Sequence, residues 1–270
     1  MTSPTTGRAY LDDVLEQPGS VLAFAHRGGA HHPEIEGLEN TLAAFEHAAA
    51  LGYRYLETDV HVTSDGVLLA FHDDALDRMT DSVGRIGSLP YAEVRRARIG
   101  GREEIPRLDA LFEALPDARF NIDLKSDGAV VALADFIAAR GAWDRVLVGS
   151  FTRSRMRAFR ELTQGRVATS ATPMEAAAFI AAPHARLAAR LARGFDALQI
   201  PHRRGRLLVA SPGLVRRAHA AGKHVHVWTI DVVEEMRDLL DRGVDGLMTD
   251  RTDVLKAVLV ERDQWRETTT

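Results

Sequence analysis

No cysteine occurs among the 270 residues. Disulfides, thiolate metal sites and cysteine nucleophiles are therefore excluded from the outset. Aromatic residues make up only 6%, and no uninterrupted apolar run reaches the roughly 18–20 residues that span a bilayer. An excess of one charge is also missing. Lys and Arg number 34 against 38 Asp and Glu, a net charge of −4, so nothing marks a surface for nucleic acid or another polyanion. The opening stretch "MTSPTTGRAYLDDVLEQPGS" has neither the basic region nor the apolar stretch of a signal peptide. The expectation is a cytoplasmic chain without a transmembrane segment. No Gly-rich dinucleotide fingerprint follows the first β-rich segment, which argues against an open doubly wound sheet.

What is there is a rhythm. Short β-rich segments lie at 21–26, 53–60, 119–124, 145–150, 166–171, 196–201, 224–229 and 245–250. Most are followed by an amphipathic stretch of helical character. "ENTLAAFEHAAALG", "SPGLVRRAHAAG" and "TIDVVEEMRDLLDRG" each end on a glycine placed for a helix C-cap. Asn40 or Thr41 is expected to begin the first of these helices, Ser211 with Pro212 the second, and Asp231 to cap the third. Eight strand–helix units predict an α/β fold, a TIM (β/α)8 barrel. "VLLAFHD" (67–73) follows the second strand through "TSDG", too short for a crossover helix, and reads as the return arm of a hairpin. Residues 74–107 hold little sustained pattern and are expected to form a small insertion after that hairpin. The expected organisation is an N-terminal extension over 1–20, the barrel over 21–262 and a tail over 263–270.

Polar residues gather at strand ends. His26 and Arg27 end the first strand, and Glu57, Asp59 and His61 the second. His72 ends the hairpin, and Asp123 and Lys125 the third strand. Gln199 lies near the end of the sixth and Trp228 at the end of the seventh. Those are the C-terminal ends, where a (β/α)8 barrel builds its active site. Glu57, Asp59 and Asp123 offer oxygen ligands only, a set suited to a hard divalent cation, Mg²⁺ or Ca²⁺. Lys125 and Arg27 bring positive charge to the same mouth, as an anionic substrate requires. His26 and His72 can supply a general acid and a general base. Together these describe hydrolysis at a phosphoryl group.

"AHRG", "ENTLAAF", "ETDVHVTSDGVLLAFHD", "IDLK" and "VWTID" occur in this order and closely resemble the glycerophosphodiester phosphodiesterases, from about His26 to about Asp250. The resemblance implies a TIM barrel with a small insertion after the "HD" hairpin, and a small-molecule glycerophosphodiester substrate cleaved to glycerol 3-phosphate and an alcohol. It implies His26 and His72 as the acid–base pair, Glu57, Asp59 and Asp123 on the metal, and Arg27 and Lys125 on phosphate. Glu39 and Asn40 match the "ENT" motif, whose polar residues lie near metal and substrate. Trp228 is placed against the alcohol portion, and Phe151 is expected to line the same mouth.

The chain departs from the family pattern in several places. The third acid is Asp123 rather than glutamate, and Leu38 stands where a proline precedes "ENT". The linker "GAHHPEIEG" is long, and its His31 and His32 read as loop residues. His61 reads as a group behind the metal ligands, and His224 and His226 as structural histidines. One rival reading is a related phospholipase D-like barrel acting on lysophospholipids. The other is a non-catalytic barrel that binds glycerol phosphates. Oligomeric state, the metal's identity and the choice between a water and a glycerol hydroxyl nucleophile are not written in the sequence.

Overall fold

The computed structural model describes residues 3–13 and 19–266. Parts of the expected N-terminal extension, 1–2 and 14–18, and half of the expected tail, 267–270, lie outside the described residues.

Eight parallel strands form the frame: β1 Leu22–His26, β2 Tyr55–Val62, β3 Arg119–Leu124, β4 Val146–Gly149, β5 Ala168–Thr169, β6 Ala197–Pro201, β7 His224–Trp228 and β8 Gly246–Thr249. Each pairs with its sequence neighbour, and β1 pairs with β8 through Leu22 to Ala25 against Gly246 to Thr249. The ring closes between β5 and β6 through a parallel bridge of Ser170 with Ala197, where Ala171 N–H donates to Ala197 O at 2.9 Å. This is a (β/α)8 barrel.

Local chemistry explains the helices between the strands. Thr41 begins the helix Leu42–Ala50, its hydroxyl accepting from Ala44 N–H. Ser211 caps Pro212–Ala220 in the same way, with proline in the first turn. Thr172 and Glu175 form a reciprocal capping box at Pro173–Ala181. Asp231 does not cap the next helix. That helix, Val233–Asp241, follows Val232, and the Asp231 carboxylate instead accepts from Thr249 Oγ1 and Asp250 N–H. The loop after β7 is thereby tied to the end of β8.

Alternation along the strands sorts the core. Leu56, Phe120, Val148, Leu198 and Val225 face the helices in one large buried cluster. Leu22, Phe24, Tyr55, Leu147 and Met248 fill the lower barrel interior with Tyr10 and Leu11 of the one-turn helix Ala9–Asp12. That turn plugs the N-terminal end, where Tyr10 O accepts from Tyr55 Oη and from the Arg119 guanidinium, each at 2.8 Å. The active-site end is left open by comparison.

The return strand Leu68–Ala70 pairs antiparallel with Val60 to Val62 of β2. Residues 74–107 that follow contain a small antiparallel pair, Arg98–Ile99 with Glu103–Glu104, and have their own core of Leu76, Ile86, Val94, Ala97, Ile99 and Ile105 packed on Leu69 and Phe71. The sequence pattern is weak there because no element exceeds four residues.

Candidate active site

A cleft of about 1110 Å³ opens at the C-terminal ends of the strands. Of the residues expected at the site, all but Glu39 and Asn40 line it, and those two touch residues that do. The turn after β1 sets the geometry. Arg27 and Asn40 both adopt positive φ, 51° and 60°, which is uncommon outside glycine, and they are linked by Asn40 N–H donating to Arg27 O at 2.9 Å. Gly28 follows at φ 87°, and a Cβ there would lie 2.7 Å from the Cβ of Ala44. Only glycine lets the turn pack so closely on the helix Leu42–Ala50.

The carboxylates are buried and interleaved with cations. Asp59 accepts from Asn40 Nδ2 at 3.1 Å, lies 3.0 Å from Lys125 Nζ and 3.4 Å from Arg27 Nε. Lys125 Nζ also reaches Asp123 Oδ2 at 2.7 Å. Glu57 accepts from Arg27 N–H at 3.1 Å. Burial would raise the Asp59 carboxyl, but Lys125 and Arg27 outweigh it and hold the group below its ordinary range. Burial, then the Asp59 charge, pushes Glu57 up, and burial likewise raises Asp123. Asp123 Oδ1 is buried with no hydrogen-bond partner. An unpaired buried carboxylate oxygen beside two further acids is the donor chemistry a hard cation satisfies, so the set fits a divalent ion.

Among the described residues, however, the one trio of ligand atoms lying within 4.8 Å of one another is that of His31, Asp231 and Asp250. The Glu57, Asp59 and Asp123 oxygens do not form such a trio; Lys125 Nζ lies between Asp59 and Asp123, and Arg27 contacts Asp59 and Glu57. Glu39 is held by Arg27 Nη1 at 3.2 Å and by Arg78 Nη2 at 2.6 Å.

Each histidine of the expected pair is backed by a carboxylate at Nδ1. His26 meets Asp250 at 2.7 Å, with its Nε2 on the Glu57 side at 3.8 Å. His72 meets Asp73 at 2.6 Å, and Arg78 Nε donates to the other Asp73 oxygen at 2.6 Å. His61 Nε2 lies 3.1 Å from the His72 carbonyl and so braces its backbone. Burial alone would lower the His26 imidazole, but Glu57 and the Asp250 hydrogen bond raise it to about 9. Arg78 draws Asp73 down to about 2. Asp250, Asp73 and Arg78 are the residues that sequence reasoning missed. Asp250 carried the same signal as Asp123, an acid at a strand end, whereas Arg78 lies in the patternless insertion.

Gln199 occupies the cleft floor, donating from Nε2 to Asn121 Oδ1 at 2.7 Å. The Trp228 and Phe151 rings meet edge to face with centroids 5.9 Å apart, and Lys125 Nζ lies 5.7 Å from the Phe151 centroid. His31 is exposed on the rim, 3.7 Å from Asp250 Oδ2, while His32 is buried against His47. No helix among the described residues is long and apolar enough to cross a membrane.

A closed (β/α)8 barrel whose open end crowds acids, cations and two carboxylate-backed imidazoles around one cleft is the architecture of a phosphodiester hydrolase. Comparison with known proteins narrows this. Residues 26–254 match the model of the glycerophosphoryl diester phosphodiesterase family, and the chain belongs to that family. It is 42% identical over 251 residues to the probable glycerophosphodiester phosphodiesterase 2 of Mycobacterium tuberculosis, covering 92% of this chain and 94% of that one. A glycerophosphodiester phosphodiesterase of Caldanaerobacter subterraneus is 28% identical, covering 87% of this chain and 96% of its own. Among solved structures, an Oleispira antarctica phosphodiesterase in complex with the product sn-glycerol-3-phosphate superposes with a TM-score of 0.74 at 24% identity, covering 88% of this chain and 96% of that one.

Proposed function

We propose that the cleft cleaves glycerophosphodiesters to glycerol 3-phosphate and an alcohol by acid–base catalysis between His26 and His72, with a divalent cation held by Glu57, Asp59 and Asp123. The observation that carries this reading is that both imidazoles meet a carboxylate through Nδ1, His26 with Asp250 and His72 with Asp73. An ionised carboxylate can only accept, so each Nδ1 keeps its proton and each Nε2 is left to exchange one with substrate.

Arg27 and Lys125 bind the phosphoryl oxygens as fixed positive charges. When bound, the cation adds Lewis-acid stabilisation of the charge that develops on those oxygens. One histidine takes the proton of the nucleophile, either water or the glycerol hydroxyl, and the other returns a proton to the leaving alkoxide. Where the hydroxyl attacks, water then opens the cyclic phosphate to glycerol 3-phosphate. Such proton transfers contribute about 10²–10⁴-fold in rate. Trp228 and Phe151 wall off the alcohol side, and Gln199 presents its amide from the floor.

The test is release of glycerol 3-phosphate from glycerophosphocholine and glycerophosphoethanolamine, with Mg²⁺, Ca²⁺ or EDTA, beside His26→Ala. Metal-dependent release that falls about 10²-fold or more in the variant is expected. A folded His26→Ala protein that keeps most of its turnover overturns the assignment.

A further inference from the structure

The net charge of −4 conceals a strong polarity. Residues 151–223 run from just after β4 to just before β7 and hold fourteen Lys and Arg against three Asp and Glu, an excess of eleven positive charges. The rest of the chain holds twenty against thirty-five, an excess of fifteen negative charges. The three acids within 151–223 are already paired, Glu161 with Arg157 at 3.3 Å, Glu175 with Arg160 at 2.6 Å and Asp196 with Arg8 at 3.2 Å. Arg153, Arg186, Arg190, Arg203, Arg204 and Arg206 are exposed, and none of them forms an ion pair among the described residues. Apolar side chains share this flank. Of the ten large apolar side chains exposed among the described residues, six belong to it, although it is little more than a quarter of the chain. Phe151 after β4, Met174 at the start of the helix Pro173–Ala181 and Leu207 on the small hairpin Arg203–Arg204 with Leu207–Leu208 are 64%, 64% and 65% exposed. Phe151 and Leu207 line the cleft, and Met174 follows Pro173, which does so too.

We infer that this flank docks the protein on a bilayer rich in anionic phospholipid, with the hairpin at headgroup level and the mouth of the cleft beside the membrane. The inference goes beyond the phosphodiesterase reading and does not depend on it. Unpaired arginines are drawn to the negative potential of such a leaflet, and the acidic remainder of the chain is repelled by it. The polarity therefore fixes which side approaches. A nucleic acid duplex would attract the same arginines, but its phosphate backbone offers no apolar phase for Met174 and Leu207. The bilayer interface offers both, phosphate for the guanidinium groups and hydrocarbon just beneath for the side chains between them. Leu207 follows Arg206 and lies opposite Arg204 across the hairpin, so one short element carries the charge and the anchor together.

The experiment measures co-sedimentation of the protein with vesicles of phosphatidylcholine, alone or with about one-third phosphatidylglycerol, at roughly 0.1 M and 1 M NaCl. Binding is expected on the anionic vesicles and at the lower salt. The triple variant Arg203→Gln, Arg204→Gln, Arg206→Gln should lower the partition coefficient about 10²-fold, at about fivefold per residue. Leu207→Ser should lower it about tenfold and leave its salt dependence in place. All four positions are exposed, so the fold should tolerate the changes. The charge-matched control Arg95→Gln, Arg96→Gln, Arg102→Gln, at exposed positions of the insertion, should leave binding nearly unchanged. No sedimentation with the anionic vesicles overturns the proposal. An equal loss in the control also overturns it, because binding would then follow net charge rather than this flank. Binding to double-stranded DNA that exceeds vesicle binding and is lost in the hairpin variant would overturn it as well, and would make the flank a nucleic-acid surface.

Discussion

Asp250 Oδ1 lies 2.7 Å from Nδ1 of His26, joining the end of β8 to the end of β1 across their shared edge. Asp250 is itself fixed, because its backbone N–H donates to Asp231 Oδ1 at 2.8 Å. The carboxylate therefore sets both the tautomer and the direction of the imidazole. Asp250→Asn is expected to lower kcat about 10- to 100-fold with little change in KM, within the range acid–base catalysis commands. Asp250→Glu should recover part of the loss. Steady-state kinetics on glycerophosphocholine decide it, and an unchanged kcat in Asp250→Asn would remove Asp250 from the machinery.

Lys125 makes a second prediction through its place between Asp59 and Asp123. Burial disfavours its charge, but those two acids outweigh burial and raise its pKa. Lys125→Met leaves two buried carboxylates facing each other, and breaking such a pair costs on the order of 3–5 kcal/mol. The melting temperature should fall most in EDTA and recover in part with Mg²⁺ or Ca²⁺, as the cation replaces the missing charge. Equal losses with and without divalent ion would argue against a cation at these carboxylates.

In the unsubstituted chain, saturating divalent ion should raise the melting temperature, by the equivalent of about 2.7 kcal/mol at one hundred times Kd. Asp123→Asn should remove much of that gain, since its Oδ1 is the buried oxygen without a partner. A melting curve indifferent to both ions would count against the metal set.

The strands and the rim were legible because they rest on short-range rules. Period-two alternation placed Glu57 and Asp59 on one face of β2, and the strand-end rule placed His26, Asp123 and Trp228 on one rim. The pairings were not legible. Asp231 reads as a helix cap from its neighbours in sequence, yet its partners Thr249 and Asp250 are 18 and 19 residues away. Likewise Arg78 sits in a segment with no periodicity, and only the folding of that segment over the hairpin brings it to Asp73 and Glu39. Contacts between elements depend on closure of the barrel, which no local window contains.

Backbone geometry yields a prediction at Gly28. A methyl group there meets Ala44 at 2.7 Å in a left-handed conformation that disfavours any side chain. Gly28→Ala should destabilise the fold by about 1–3 kcal/mol and displace His26 and Arg27, so kcat/KM should fall alongside the melting temperature. Retention of both would mean that the turn relaxes freely.

His226 makes stability itself a function of pH. It is fully buried, its Nδ1 lies 3.3 Å from Gln199 Nε2, and its Nε2 has no partner. Burial, then the neighbouring His224, lowers its pKa from 6.5 to about 3. The unfolded chain thus takes up a proton below pH 6.5 that the folded chain refuses until about pH 3. Stability is full above 6.5 and is lost as pH falls through that window, by about 2 kcal/mol at pH 5 from this group alone. Urea unfolding at pH 7 and pH 5, in EDTA to hold the metal site constant, measures the loss. His226→Gln cannot titrate, so its loss between the two pH values should be smaller by about the same 2 kcal/mol. An identical pH dependence in the two proteins would show that His226 takes up its proton at the same pH folded as unfolded, so that burial does not lower its pKa.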